Sequence, residues 1–140
     1  MEEEKAIQLL QEVMAIPSVN SRDEEGKVAE YLCAYFQNAG IPAVVERIDE
    51  THANVRAVLE GNPEGGRMIW NGHLDTVPYG AGEDWDTDPA VPVTEGTVLY
   101  GRGASDMKSG LCAMVYALCQ NKRSGKRPSC SVLFLGTCDE

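Results

Sequence analysis

Four side chains of this chain have the types and spacing to do chemistry. His73 and Asp75 flank Leu74 in Gly72-His73-Leu74-Asp75-Thr76-Val77-Pro78, directly after the apolar run Met68-Ile69-Trp70. In an extended segment residues two apart face the same side, so an imidazole and a carboxylate would project together from a strand end. A metal-ligating histidine gives its second ring N–H to a carboxylate or carbonyl, which fixes the tautomer and raises basicity. Asp106 before a helix and Glu140, which follows Asp139 after a second apolar run, supply the other acids. In open α/β sheets the ligand crevice lies outside the carboxyl ends of strands, so these points are expected to converge there. Each has a plainer explanation when taken alone. Asp106 would be a helix N-cap, His73 a hydrogen-bonded histidine and Glu140 a solvated acid.

The elements that must position these residues follow from periodicity. Residues 3–15 predict a helix with Ile7, Leu10 and Met14 on one stripe, widened by Leu9, Val13 and Ile16 and stopped by Pro17. Ser21 and Glu24 form a capping box for a second helix carrying Val28, Tyr31, Leu32, Tyr35 and Phe36, ended by Gly40 and Pro42. Strands are expected over residues 43–48, 53–59 and 67–73. The last two are joined by Gly61-Asn62-Pro63-Glu64-Gly65-Gly66, which suggests antiparallel neighbours.

Residues 74–90 lose periodicity and fill with Gly, Pro, Asp and Glu, the kind of long irregular stretch that usually has a function. A short hairpin about Glu95-Gly96 precedes a third helix over 107–121, with Leu111, Met114, Val115 and Leu118 on its stripe. The continuous run Ser131 to Gly136 predicts a strand covered on both faces. Alternating helices and strands make the fold α/β with a mixed sheet, with no internal repeat.

Composition narrows the function classes. With 140 residues there is one core, and 43% apolar with 24% charged residues predicts a soluble globular protein, cytoplasmic by default. No apolar run approaches a membrane span, and the acidic start Met1-Glu2-Glu3-Glu4 is unlike a signal peptide. A formal charge of −10, from 22 acidic and 12 basic side chains, argues against nucleic acid or a membrane surface as partner. Glu2 to Glu4, Glu24, Glu25, Glu83 and Asp84 read as a solvated acidic surface, and the basic cluster Lys122, Arg123, Lys126 and Arg127 as a helix end. Five cysteines without a Cys-x-x-Cys pair point to reduced, mostly buried thiols rather than a disulfide framework, a thiolate zinc site or a redox centre.

Several blocks carry a resemblance: Ile16-Pro17-Ser18-Val19-Asn20, His73 to Pro78, Trp85-Asp86-Thr87-Asp88-Pro89, Tyr100-Gly101-Arg102-Gly103-Ala104-Ser105-Asp106-Met107-Lys108-Ser109-Gly110, and Thr137-Cys138-Asp139-Glu140. In this order they resemble the zinc hydrolase family of aminoacylase, glutamate carboxypeptidase, acetylornithine deacetylase and succinyl-diaminopimelate desuccinylase. Ala90, where the family usually has an aromatic, and Ser109, where it often has glycine, are small departures.

The resemblance implies a three-layer αβα zinc-exopeptidase-like fold and two divalent metal ions, commonly zinc, with cobalt or manganese as options. It implies that His73 ligates one metal and Asp106 bridges both, that Asp75 orients His73, and that Glu140 is the general base for an activated water. It also implies a cis peptide at Asp106-Met107. The reaction would be amide hydrolysis of small peptides or N-acyl amino acids, in a parent protein that is a homodimer. Residues 1–140 would form the N-terminal portion of its catalytic domain. The glutamate ligand that follows the Asp-Glu pair, a further acidic ligand, a lid and dimerisation domain and a late histidine have no counterpart within them. Two metal-binding side chains fall short of a four-coordinate site, so weak metal binding and no turnover are expected of this segment alone, with self-association through the apolar run at 131–136. A noncatalytic interaction module that kept the fold is the competing expectation.

Overall fold

The computed structural model describes residues 2–140; Met1 of the acidic start lies outside them. Three helices, α1 (Glu2–Met14), α2 (Gly26–Asn38) and α3 (Ser109–Arg123), pack on a four-stranded sheet of β1 (Ala43–Arg47), β2 (Ala53–Leu59), β3 (Arg67–His73) and β6 (Ser131–Thr137). The hairpin expected about Glu95-Gly96 forms as β4 (Val93–Glu95) and β5 (Val98–Tyr100).

The sheet order is β1-β2-β6-β3. β6 pairs antiparallel with β2 and parallel with β3, so β2 and β3 are not neighbours, contrary to what the turn-rich link suggests. The glycines of that link serve a different purpose. A Cβ at Gly61 would lie 2.1 Å from the Cys130 carbonyl oxygen, and one at Gly65 would lie 1.6 Å from that of Ser129. The link is bare so that the segment entering β6 can pass against it, and the Gly61 N–H donates to Ser131 Oγ at 3.0 Å.

The core lies between the helices and one face of the sheet. Leu9 and Val13 of α1, Val28, Leu32 and Phe36 of α2, and Leu111, Val115 and Leu118 of α3 meet Val55, Ala57, Val132 and Phe134. The Phe36 and Phe134 rings stand 5.0 Å apart. Ile7, expected on the α1 stripe, is exposed, because the helix turns Leu9, Val13 and Met14 inward.

The opposite sheet face is open. Val44 and Ile69 are exposed and Leu133 and Leu135 are half-buried, so β6 is fully covered on one face instead of two. It is also interior to the sheet, and the unpaired edges belong to β1 and β3. Of the expected three layers, the described residues supply one layer of helices and the sheet.

Two helix starts differ from expectation. α2 begins at Gly26 with Glu25 as its N-cap residue, Ser21 adopts a left-handed φ of 61°, and Glu24 pairs with Lys27. The charge-rich segment bends before it becomes helical, so the Ser21–Glu24 box does not form. α3 begins at Ser109, and Asp106 with φ −124° and ψ 102° stands outside it and is not its cap. None of the described helices is long and apolar enough to cross a membrane. All five cysteines are free thiols, with Cys33, Cys112 and Cys119 buried.

Candidate active site

The parallel pair β3 and β6 ends in register, His73 opposite Thr137. Their carboxyl ends therefore deliver His73-Leu74-Asp75 and Cys138-Asp139-Glu140 to one rim. Asn20, Ser21, His73, Asp75, Asp106 and Glu140 line a cleft of about 300 Å³ at this rim, with Val77 and Pro78 as its apolar wall. The four residues singled out from the sequence thus share one space.

His73 is the hub. Its Nδ1–H donates to the Asp75 backbone carbonyl oxygen at 2.9 Å, which fixes the ring so that Nε2 faces the cleft. Nε2 lies 3.0 Å from Asp106 Oδ1 and 3.5 Å from Glu140 Oε2. The Asp75 carboxylate is farther from the ring, with Oδ1 at 3.5 Å from Nδ1, so orientation comes first from the carbonyl of the same residue. Burial by itself would lower the His73 pKa, but the Asp106 carboxylate, the Asp75 carbonyl and the nearby Glu140 and Asp75 charges together raise it.

Asp106 is brought to His73 by an irregular turn. Gly103, at φ 85°, starts it in a conformation costly for other residues, and the Asp106-Met107 peptide is cis. Lys108 then folds inward, only 2% exposed, and its Nζ donates to the carbonyls of Val13 at 3.0 Å and Ile16 at 2.8 Å. Burial pushes its pKa down to about 8. The same ammonium thus satisfies the carboxyl end of α1 and anchors the Ile16 to Asn20 loop beside the cleft.

That loop pairs with the segment after His73. The Asn20 N–H donates to the Thr76 carbonyl at 2.8 Å and the Thr76 N–H to the Ser18 carbonyl at 2.9 Å. Residues 74–90 are irregular but tethered. Arg102 Nη2 donates to the Pro78 carbonyl at 3.1 Å and its guanidinium stacks on Trp85 at 5.0 Å, while Trp85 Nε1 donates to the Tyr79 carbonyl at 2.7 Å.

Three residues in or behind the cleft had no role assigned from the sequence. Lys108 and Asn20 lie inside the blocks that carry the resemblance, but their contacts cannot be read from those blocks. Glu25 was read as a solvated acid and is instead fully buried, 0% exposed, within reach of Asp139. Nothing in a charged run announces that burial.

An imidazole nitrogen facing two carboxylates is a donor set that suits a divalent cation in kind. In number it falls short: among the described residues no three of His, Cys, Asp and Glu are disposed to hold a metal ion.

Comparison with known proteins agrees with the fold. Residues 69–140 match the model of peptidase family M20/M25/M40. The chain belongs to that family. Succinyl-diaminopimelate desuccinylase of Leptothrix cholodnii is 36% identical over 139 residues, covering 96% of this chain and 35% of the relative. A probable succinyl-diaminopimelate desuccinylase of Staphylococcus aureus is 31% identical over 99% of this chain and 33% of its own length. The chain thus spans about a third of the length of the curated relatives it matches.

Among solved structures, human carnosine dipeptidase 1 superposes with a TM-score of 0.84 at 23% identity, covering 96% of this chain and 32% of that one. An M20 family metallo-carboxypeptidase of Sulfolobus solfataricus also gives 0.84, at 24% identity and with 95% and 30% covered. These likenesses establish the α/β fold with its mixed sheet and flanking helices.

Proposed function

We propose that this M20/M25/M40 family chain is the N-terminal part of the catalytic domain of a divalent-metal-dependent hydrolase that cleaves the amide bond of N-acyl amino acids or small peptides. The observation that carries the reading is the meeting of His73, Asp106 and Glu140 at one rim, with Nε2 of the imidazole 3.0 Å and 3.5 Å from the two carboxylates. His73 and Asp106 would hold metal, zinc before cobalt or manganese, with Asp106 shared between two ions. When bound, such an ion polarises water and the substrate carbonyl. Asp75 fixes the His73 ring through its carbonyl. Glu140 takes a proton from the attacking water and returns it to the leaving amine. The desuccinylase relatives favour an N-acyl amino acid, and the five free cysteines favour a reducing compartment, the cytoplasm.

With only two metal-binding side chains, residues 1–140 by themselves bind metal weakly and do not turn over. The test uses the full-length polypeptide that carries this chain, loaded with zinc or cobalt and given N-succinyl and N-acetyl amino acids and dipeptides. Metal-dependent hydrolysis is expected, with E140Q lowering kcat by about a hundredfold or more and H73A abolishing metal-dependent activity. Hydrolysis unaffected by E140Q would remove Glu140 from its role. Absence of hydrolysis from a folded, metal-loaded protein would make the chain a noncatalytic module of the same fold.

A further inference from the structure

Glu25 is the one acid of the described residues that is both fully buried and outside the cleft lining. A buried carboxylate is costly unless paired or hydrogen-bonded. Its Oε2 accepts the Asp139 backbone N–H at 2.8 Å, its Oε1 has no hydrogen-bond partner, and the nearest cationic group is His52, with Nε2 at 3.7 Å from Oε1. His52 is itself held by Asp49, 2.8 Å from Nδ1.

Asp139 has a left-handed φ of 58°, rare for a residue with a side chain. The turn that carries it is gripped at each residue. Asn54 Oδ1 accepts the Cys138 N–H at 3.0 Å, Asn20 Nδ2 donates to Asp139 Oδ1 at 3.2 Å, and the Glu140 N–H points at Asp75 Oδ1 at 3.4 Å. Among these contacts, the one made by Glu25 is the shortest and the only one from a fully buried carboxylate. Its place at the N-terminus of α2 accounts for a negative charge there, but not for a side chain aimed at Asp139.

We propose that Glu25 is a positioning residue: its buried carboxylate, by accepting the Asp139 N–H, sets the left-handed turn that aims Glu140 at His73 and Asp106. Its bearing on catalysis rests on the reading of Glu140 as general base. Its geometry does not, because the test needs neither metal nor substrate. Failed hydrolysis in the assay above would leave this inference standing, and its failure would leave the family reading intact.

The isotope-labelled chain is compared with E25Q, which keeps an acceptor oxygen at the same reach, and E25D, which keeps the charge at the helix start but withdraws the acceptor by one methylene. Amide hydrogen exchange and the side-chain contact between His73 and Glu140 are read by NMR. Expected are slow exchange of the Asp139 N–H in wild type and in E25Q, and exchange about tenfold faster or more in E25D. The His73–Glu140 contact is lost in E25D only, and the Val55 and Phe134 amides stay within about twofold of wild type. The opposite order, with E25D like wild type and E25Q impaired, would make Glu25 a helix-terminus charge and overturn the proposal. So would Asp139 exchange unchanged in both variants, or acceleration of Val55 and Phe134 by the same factor as Asp139.

Discussion

At the scale of residues, His52 shows how a local pair sets a response to pH. The hydrogen bond that its ring N–H donates to the Asp49 carboxylate raises its pKa above the ordinary value, burial opposes the rise, and the Asp49, Glu25 and Asp139 charges add to it. A histidine with a raised folded-state pKa contributes stability that is fully present below the unfolded value near ~6.5 and is lost as pH climbs through the folded value. Denaturant unfolding measured from pH 5 to 8 is therefore expected to lose this increment above about pH 6.5, and H52Q to flatten that part of the profile. The cleft residues were legible in the sequence because His73, Asp75, Asp106 and Glu140, each open to a plainer reading alone, fall together at the ends of elements within blocks that resemble one family. Glu25 was not legible. Its burial depends on the Thr51 carbonyl receiving the Gly26 N–H and on Asp139 arriving from more than a hundred positions away, neither of which a charged run reveals.

At the scale of elements, periodicity placed β2 and β3 with the ends they have in the structure, because alternation and turn residues act over a few positions. Pairing was misread for the link between them, since a glycine that permits close passage looks the same as one that permits reversal. The edge of β3 is the exposed consequence. Ile69 is 60% exposed, Met68 lies beside it, and the strand has β6 on one side only. Such an edge invites pairing with a second copy. Self-association that grows with concentration is expected in sedimentation experiments, and I69K is expected to shift the protein towards monomer by at least several-fold. Association unaffected by I69K would move the contact elsewhere.

At the scale of the whole molecule, α2 and α3 share a single core with the sheet, and their buried thiols report on it. Burial pushes the Cys112 thiol up to about 12 and that of Cys119 up to about 11, and raises that of Cys33. Because the thiolate is the reactive form, these three are expected to resist an aromatic disulfide reagent at neutral pH until global unfolding. They should then react in one kinetic phase, at the rate of opening. Separate phases would show that the helices detach independently. The position of β6 bears on how the molecule comes into being. The hairpin of β1 and β2 shares no ladder with β3 until residues 131–137 slot between them. Before that strand has been synthesised the hairpin and β3 stand apart, and the carboxyl ends that carry His73 and Glu140 come together only when the wedge emerges. Assembly of the rim is thereby deferred to β6 by the topology itself.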